Sequence, residues 1–497
     1  MSHVIGLDIG TSGIKAGAMD RHGRLSFIER EAYQLSFPQS GWVEIDPEEI
    51  WEKSAGLIRR IAKQIQEQGG RVDGLSLSCF CNASIFIDRC GTLIGSGIMY
   101  MDQRSVEEVQ AMREAVAPDE HFRITKNRVE PGVYSVSTLL WVKNQRPDVY
   151  SQTYKWGHLS SYILYKLTGE FVMDWTQASF TGLYDIIHYE WSARLLQAYG
   201  IESSILPEVV DPVETIGYVR STAELGFADI PVAAGGADTA CSTLALGIGP
   251  NQLFESVGTS DVLTVCSDQT DRFDPRFMNR CHILKDRWLS HGPMSTAGAS
   301  IRWYYETFLQ DQGSVDSLLE ELPGLSEPGA HGVLFLPYML GERAPIWDHE
   351  ARGVFAGLHL GTNRADMLQA IFEGCSFGLR QIYEIIEETY PFAFSRFTAI
   401  GGGAKNRHWT QIKANVLGKT IEVKEVGETA VFGSCLLAGK AAGYFTTLEE
   451  GIQGLQNETL FTVEPDPERT QLYDVLYQDF LALYPAMKPF FKRRRTL

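Results

Sequence analysis

The chain has 497 residues, a hydrophobic fraction of 44%, a charged fraction of 21% and a formal net charge of −18. This is the composition of a soluble globular protein, long enough for two or three domains around a large buried core. The acidic excess argues against nucleic-acid binding, which needs surplus cations to displace counterions. The one basic run, Lys492 to Arg495, falls at the C-terminal end and reads as a solvated tail. No apolar run approaches bilayer-spanning length and the chain opens on a strand pattern, so neither a secretory leader nor a membrane segment is expected. Eight scattered cysteines fit buried thiols in a reducing cytoplasm. Cys79 and Cys81 lack a second pair nearby, which argues against zinc, and the Asn82-Ala83-Ser84 sequon carries no meaning in that compartment.

In chain order, Val4, Ile5 and Leu7 predict a buried strand ending near Asp8, and Gly10 to Gly13 predict a tight turn. Ile14 to Met19 return as a second strand and Arg24 to Gln34 make a third. Asp46 and Pro47 then open a helix with Trp51, Leu57, Ile58, Ile61 and Ile65 on its apolar face. Val72 to Ser78 and Ser84 to Asp88 are further strands, giving the order β-β-β-α-β. Residues 102 to 200 are richer in helix signals, at Ser105 to Val116 and through Leu139 to Leu167, with a break at Pro131-Gly132. Ile230 to Ala234 is a short strand running into Gly235-Gly236-Ala237-Asp238.

The opening pattern then recurs. Phe254 to Val257, Gly258-Thr259-Ser260 and Val262 to Val265 repeat strand, turn and strand, with the Gly-Thr-Ser triplet of Gly10 to Ser12 in the second turn. Such a repeat suggests two related α/β domains, although a three-residue string recurs easily by chance. The second half continues with a helix at Ile301 to Phe308, a polar stretch from Pro323 to Gly332 and a strand at Val333 to Pro337. A long helix runs from Arg364 to about Glu388, and a strand at Phe397 to Ile400 ends in Gly401-Gly402-Gly403. Helices at Arg407 to Leu417 and Thr429 to Ala442 follow.

Three stretches carry candidate chemistry. The turn after Asp8 offers backbone N–H groups as a phosphate cradle, beside a carboxylate able to hold a nucleotide's metal; the alternative is an ordinary hairpin. Gly401 to Asn406, after a strand and before a helix, lets the backbone approach a charged ligand; the alternative is a tight loop. Asp238, behind two glycines, suits a general base, a metal ligand or, taken alone, a helix N-cap. Gly418-Lys419-Thr420 fails as a Walker A loop because position 413 is lysine, and no G-x-G-x-x-G follows a strand.

Together these residues resemble the FGGY carbohydrate kinase family, its xylulokinase and gluconokinase branches above all, from about residue 3 to residue 445. The matching strings are Leu7 to Ser12, Met101 to Ser105, Gly235 to Ala240, Val257 to Ser260, Leu336 to Asp348, Phe372-Glu373-Gly374 and Gly401 to Asn406. The resemblance implies an α/β fold of two actin-like, ribonuclease-H-like domains with an interdomain cleft that closes over sugar and Mg-ATP. Residues 1–247 would be the sugar-binding domain and 248–497 the nucleotide-binding domain. Asp238 then becomes the general base, displacing the capping role, and Asp8 the carboxylate on the metal side. Gly10, Thr11 and Ser12 would face the transferred phosphoryl group, and Lys15 occupies a position that is often basic. Gly258 and Thr259 would line the phosphate channel, with Gly402, Gly403 and Asn406 at the nucleoside end. Asn82, Asp102 and Arg104 would stand on the sugar side; for the last two, a capped helix with a surface arginine is the alternative.

Two departures fall on the sugar side. Where xylulokinase-like members read Ser-Gly-Gln-Met-His-Gly, this chain reads Ser78-Cys79-Phe80-Cys81-Asn82-Ala83, and Thr138 stands where the family has a lysine before Trp141. The expected activity is phosphorylation of a small sugar, a ketopentose or related polyol, with a gluconate-type acid kinase as the alternative. From another class, the rival is an actin-fold ATPase or sugar-binding regulator without transfer activity. The expected partners are a small sugar and ATP, with a homodimer as the candidate assembly and neither nucleic acid nor membrane.

Overall fold

The computed structural model describes residues 2–11, 13–309, 326–425, 427–453 and 458–494. Ser12, the start of the polar stretch at 323–325 and Arg495 lie outside the described residues. The chain divides into two compact units, the first made of Met1–Ile248, Asn279–Trp288 and Gly427–Gln456. The second comprises Gly249–Met278, Leu289–Val426 and Asn457–Leu497.

The apolar opening run becomes β1 (Ser2–Gly10), with Val4, Ile5, Leu7 and Ile9 wholly buried. It is apolar rather than alternating because both faces of the sheet are covered. β2 (Gly13–Asp20) returns antiparallel to it, closing at Gly10 opposite Gly13, and β3 (Leu25–Ala32) continues the meander. α1 (Pro47–Glu67) starts as the sequence predicts, with Asp46 accepting from the amides of Glu48 and Glu49, and it buries Ile50, Trp51, Leu57, Ile58, Ile61 and Ile65. β4 (Arg71–Cys79) runs parallel to β1. With β6 (Thr215–Tyr218) and β7 (Pro231–Ala233), the sheet order is β6-β7-β4-β1-β2-β3. β8 (Gly236–Ala237) pairs with the end of β4.

The late helix Thr429–Ala441 also belongs to this unit, packed against β1. Its approach requires Gly6, where a Cβ would stand 2.4 Å from the Val431 carbonyl oxygen. Β-strand β5 (Ala83–Ile87) lies in a smaller sheet beside Lys155–His158. That strand interrupts the region expected to be helical between Leu139 and Leu167; helices Val136–Gln145 and Leu159–Thr168 flank it. Its pairing partner lies some seventy residues upstream (Ile85 opposite Gly157), so no local periodicity reveals it.

In the second unit, β9 (Gln252–Val257) and β10 (Asp261–Ser267) form an antiparallel hairpin. β11 (Trp288–Met294), β12 (Arg396–Ile400), β13 (Thr420–Glu425) and β14 (Glu458–Val463) complete a sheet that runs β11-β10-β9-β12-β13-β14 within this unit. β12 is parallel to β9 and β13 to β12. The order β3-β2-β1-β4-β7 of the first unit thus recurs as β11-β10-β9-β12-β13, and the repeated Gly-Thr-Ser triplet marks the hairpin of each.

Candidate active site

Strand register assembles the first part of the site. Asp8 stands two residues before the end of β1, opposite Lys15 on β2 and Ser78 on β4, while Gly236 of β8 pairs with the other side of Ser78. Ser78 Oγ donates to Asp8 Oδ1 at 2.5 Å. Burial pushes the Asp8 carboxyl up from its ordinary 3.8 to about 7. The Ser78 bond opposes that rise, and the negative charge of Asp238 adds to it. Lys15 also opposes it, but its ammonium is engaged by Glu428 at 2.6 Å, and Arg30 meets the same carboxylate at 2.5 Å. Gly10 and Thr11 are half-buried at the turn.

Asp238 follows β8 directly as the first residue of helix Asp238–Ala245. The N-cap position is Ala237, so the capping role open to Asp238 by sequence is not the one it takes. Its Oδ1 accepts from the Thr239 amide at 2.6 Å and the Thr239 hydroxyl at 3.1 Å. The preceding turn needs Gly235, whose φ is +81° and whose Cβ would fall 2.1 Å from the Leu77 carbonyl oxygen. Two residues that the sequence reading missed fix this turn. The Ala237 amide donates to Thr176 Oγ1 at 2.7 Å, and that hydroxyl donates to Asp174 Oδ1 at 2.5 Å. Asp174 also caps helix Trp175–Ala178 through the Thr176 and Gln177 amides. The signal was an Asp just before a short polar helix, a pattern too common to single out.

On the sugar side, Asn82 is buried, with Nδ2 donating to the Val133 carbonyl at 2.9 Å and more weakly to that of Phe180 at 3.4 Å. Beside it, Cys81 feels the charges of both Asp238 and Arg280. Asp102 and Arg104 form a buried two-point ion pair: Asp102 Oδ1 accepts from Arg104 Nε at 2.9 Å and Oδ2 from Nη2 at 2.8 Å. Glu44 takes a further bond from that Nη2 at 2.8 Å, and the guanidinium lies 3.8 Å from the Trp42 ring. Asp102 Oδ2 also accepts from the Val43 amide at 2.6 Å. Trp141 packs edge-on against Trp42, and Thr138 is buried nearby on the same helix.

The remaining predicted residues lie on the second unit. Gly258 and Thr259 are exposed in the turn after β9, where the Thr259 carbonyl accepts from the amides of Ala297 and Ala299. Gly402 is exposed and Gly403 half-buried; Asn406 caps helix Arg407–Leu417 by accepting from the Trp409 amide at 2.9 Å. Behind this segment, Lys413 is buried against Glu255 and against Asp261 at 2.6 Å. Burial raises the Glu255 carboxyl, Asp261 adds to the rise and Lys413 opposes it. Among the described residues no group of three or more His, Cys, Asp or Glu is arranged to hold a metal ion.

Comparison with known proteins decides the family. The N-terminal-domain profile of the FGGY family of carbohydrate kinases matches residues 3–245, and the C-terminal-domain profile matches residues 253–442. The chain belongs to the FGGY family of carbohydrate kinases. It is 29% identical to the xylulose kinase of Staphylococcus xylosus over 97% of this chain and 100% of that kinase. Among solved structures, the ligand-bound xylulose kinase from Lactobacillus acidophilus superposes with a TM-score of 0.91 at 26% identity, covering 99% of this chain and 100% of that one. The gluconate kinase from the same organism gives 0.91 at 26% identity, covering 99% of both chains. The chain is therefore an ATP-dependent carbohydrate kinase, and the reading as a regulator without transfer activity falls away.

Proposed function

We propose that this FGGY kinase phosphorylates a hydroxyl of a small sugar, a ketopentose of the xylulose or ribulose kind or a related polyol, from Mg-ATP. The observation that supports it most is the pair Asp8 and Asp238 at the same end of one sheet, close enough for one charge to raise the other carboxyl. Two carboxylates of unlike surroundings suit two tasks. Asp238, half-buried and steered by Thr239, is the base that takes the proton of the attacking hydroxyl. Asp8 fits magnesium: that ion keeps several waters and takes one or two protein carboxylates with the substrate phosphates, so a single buried carboxylate is enough. Bound there, magnesium would spread the charge gathering on the β- and γ-phosphates.

Gly10, Thr11 and Ser12 are assigned to the transferred phosphoryl group, with Lys15 beside them. Gly258 and Thr259 are assigned to the phosphate chain, and Gly402, Gly403 and Asn406 to the nucleoside. Asn82 lines the acceptor side, and Asp102 with Arg104 anchors the Val43 backbone that frames it. Because proton removal is coupled to bond formation, the base needs no extreme basicity, and positioning supplies most of the acceleration.

A second reading, a gluconate-type acid as acceptor, is favoured by the buried Arg280 taken up below. The test is ADP release across pentuloses, tetritols, hexonates and glycerol. One of these should drive turnover, and Asp238→Asn should lower it by about 10²–10⁴-fold while leaving ATP affinity nearly unchanged. Silence with every acceptor would remove the proposed substrate class, and turnover retained by Asp238→Asn would remove the base.

A further inference from the structure

The first unit contains two buried arginines treated in opposite ways. Arg104, described above, is saturated by Asp102, Glu44 and Trp42. Arg280, on the strand Met278–Cys281 whose residues from 279 onward cluster with the first unit, is only 5% exposed. Among the described residues no carboxylate stands within 4.0 Å of it, and its Nε–H finds no acceptor. Among the described residues its one side-chain hydrogen bond runs from Nη1 to Cys81 Sγ at 3.8 Å, and its guanidinium lies 4.0 Å from the centre of the Phe180 ring. A thiol and a ring face are poor compensation for a desolvated guanidinium, because each is far weaker than a carboxylate or carbonyl acceptor.

Asp174 attracts this guanidinium without an ion pair to it, and its place matters as much as its burial. Cys81 precedes Asn82, and Phe180 supplies a carbonyl to the Asn82 amide, so Arg280 rests on the wall assigned to the acceptor. Cys81 also feels Asp238, the proposed base, and Asp174, which organises the turn before it. We propose that Arg280 is a specificity-determining residue whose guanidinium receives a carboxylate on the sugar, so that the preferred acceptor is a sugar acid. A planar fork of N–H donors matches a planar carboxylate in two-point contact, as Asp102 already shows for Arg104. Asp174 and Asp238 oppose either anion, a doubly charged phosphate more than a singly charged carboxylate.

The inference rests on the kinase reading above and favours its second acceptor, the sugar acid, over the ketopentose. The experiment is equilibrium binding, by titration calorimetry, of aldonates of four to six carbons against the alditols of the same length, a pentulose and a sugar phosphate. The unmodified protein should bind at least one aldonate about 10- to 100-fold more tightly than its alditol, and Arg280→Met should erase that preference. Arg280→Lys should restore part of it, and Arg280→Gln serves if the Met variant does not fold. Equal binding of aldonate and alditol, tighter binding of the pentulose or the sugar phosphate, or no binding of any aldonate would overturn the proposal. The kinase reading fails separately: an aldonate that binds through Arg280 yet yields no ADP, with no other acceptor active, would leave the carboxylate site standing and remove the substrate class proposed for transfer.

Discussion

The hairpin that opens each unit carries buried acid, and the two units handle it differently. In the first, Asp8 has one side-chain hydrogen-bond donor among the described residues, Ser78, and Asp238 raises it further. In the second, Glu255 and Asp261 share the buried ammonium of Lys413. The strand order around the two hairpins is the same, so the backbone does not set the difference. It comes from one cation placed on a helix behind β9 and β10. Partnered acid contributes to holding a unit together, whereas acid left short of partners keeps its interaction energy for a ligand.

That contrast can be broken by removing the cation. Lys413→Met leaves two buried carboxylates uncompensated and should cost about 3–5 kcal/mol of stability, read from urea unfolding. Replacing Glu255 and Asp261 by Leu in the same chain should recover most of the loss. If Lys413→Met melts like the unmodified protein, the triad is not what sets the two hairpins apart.

Asp8→Asn probes the opposite side, with metal chelated throughout. The folded-state value of about 7 lies above the ordinary 3.8, so the native state holds the proton more tightly. Stability therefore falls as pH rises through that window, and above it the buried charge carries its full cost. Asp8→Asn should accordingly stabilise the protein by about 1–3 kcal/mol at pH 8 and by nearly nothing at pH 4. A gain at pH 4 equal to that at pH 8 would show that the carboxyl charge is not the cause. Turnover should be lost at both values.

The finest distinction comes from Ser78→Ala. Ser78 donates to the ionised carboxylate, so its loss should destabilise by about 1–2 kcal/mol at pH 8 and by less at pH 4, where Asp8 carries its own proton. A loss that does not vary with pH would reduce Ser78 to a packing role.

Much of this was legible from residue order. Asp46-Pro47 announced a capped helix, the glycine turn after Asp8 announced a hairpin, and the ordered strings from Leu7 to Asn406 implied the family. These signals are local or ordered along the chain, and local chemistry survives being read one residue at a time. Other features were hidden because they depend on residues distant in sequence. The strand Lys155–His158 exists through its pairing with Ser84–Ile87. Asp174 and Thr176 matter because they hold the amide before Asp238. Arg280 and Lys413 look alike in a sequence, as single cations in mixed surroundings; one is neutralised by Glu255 and Asp261, and the other lies against a thiol and a ring. The sequence alone determined the family and most of the strand and helix pattern. Only the tertiary structure decided which charges are already paired, because pairing in a low-dielectric interior depends on ångström distances across the chain that residue order does not encode.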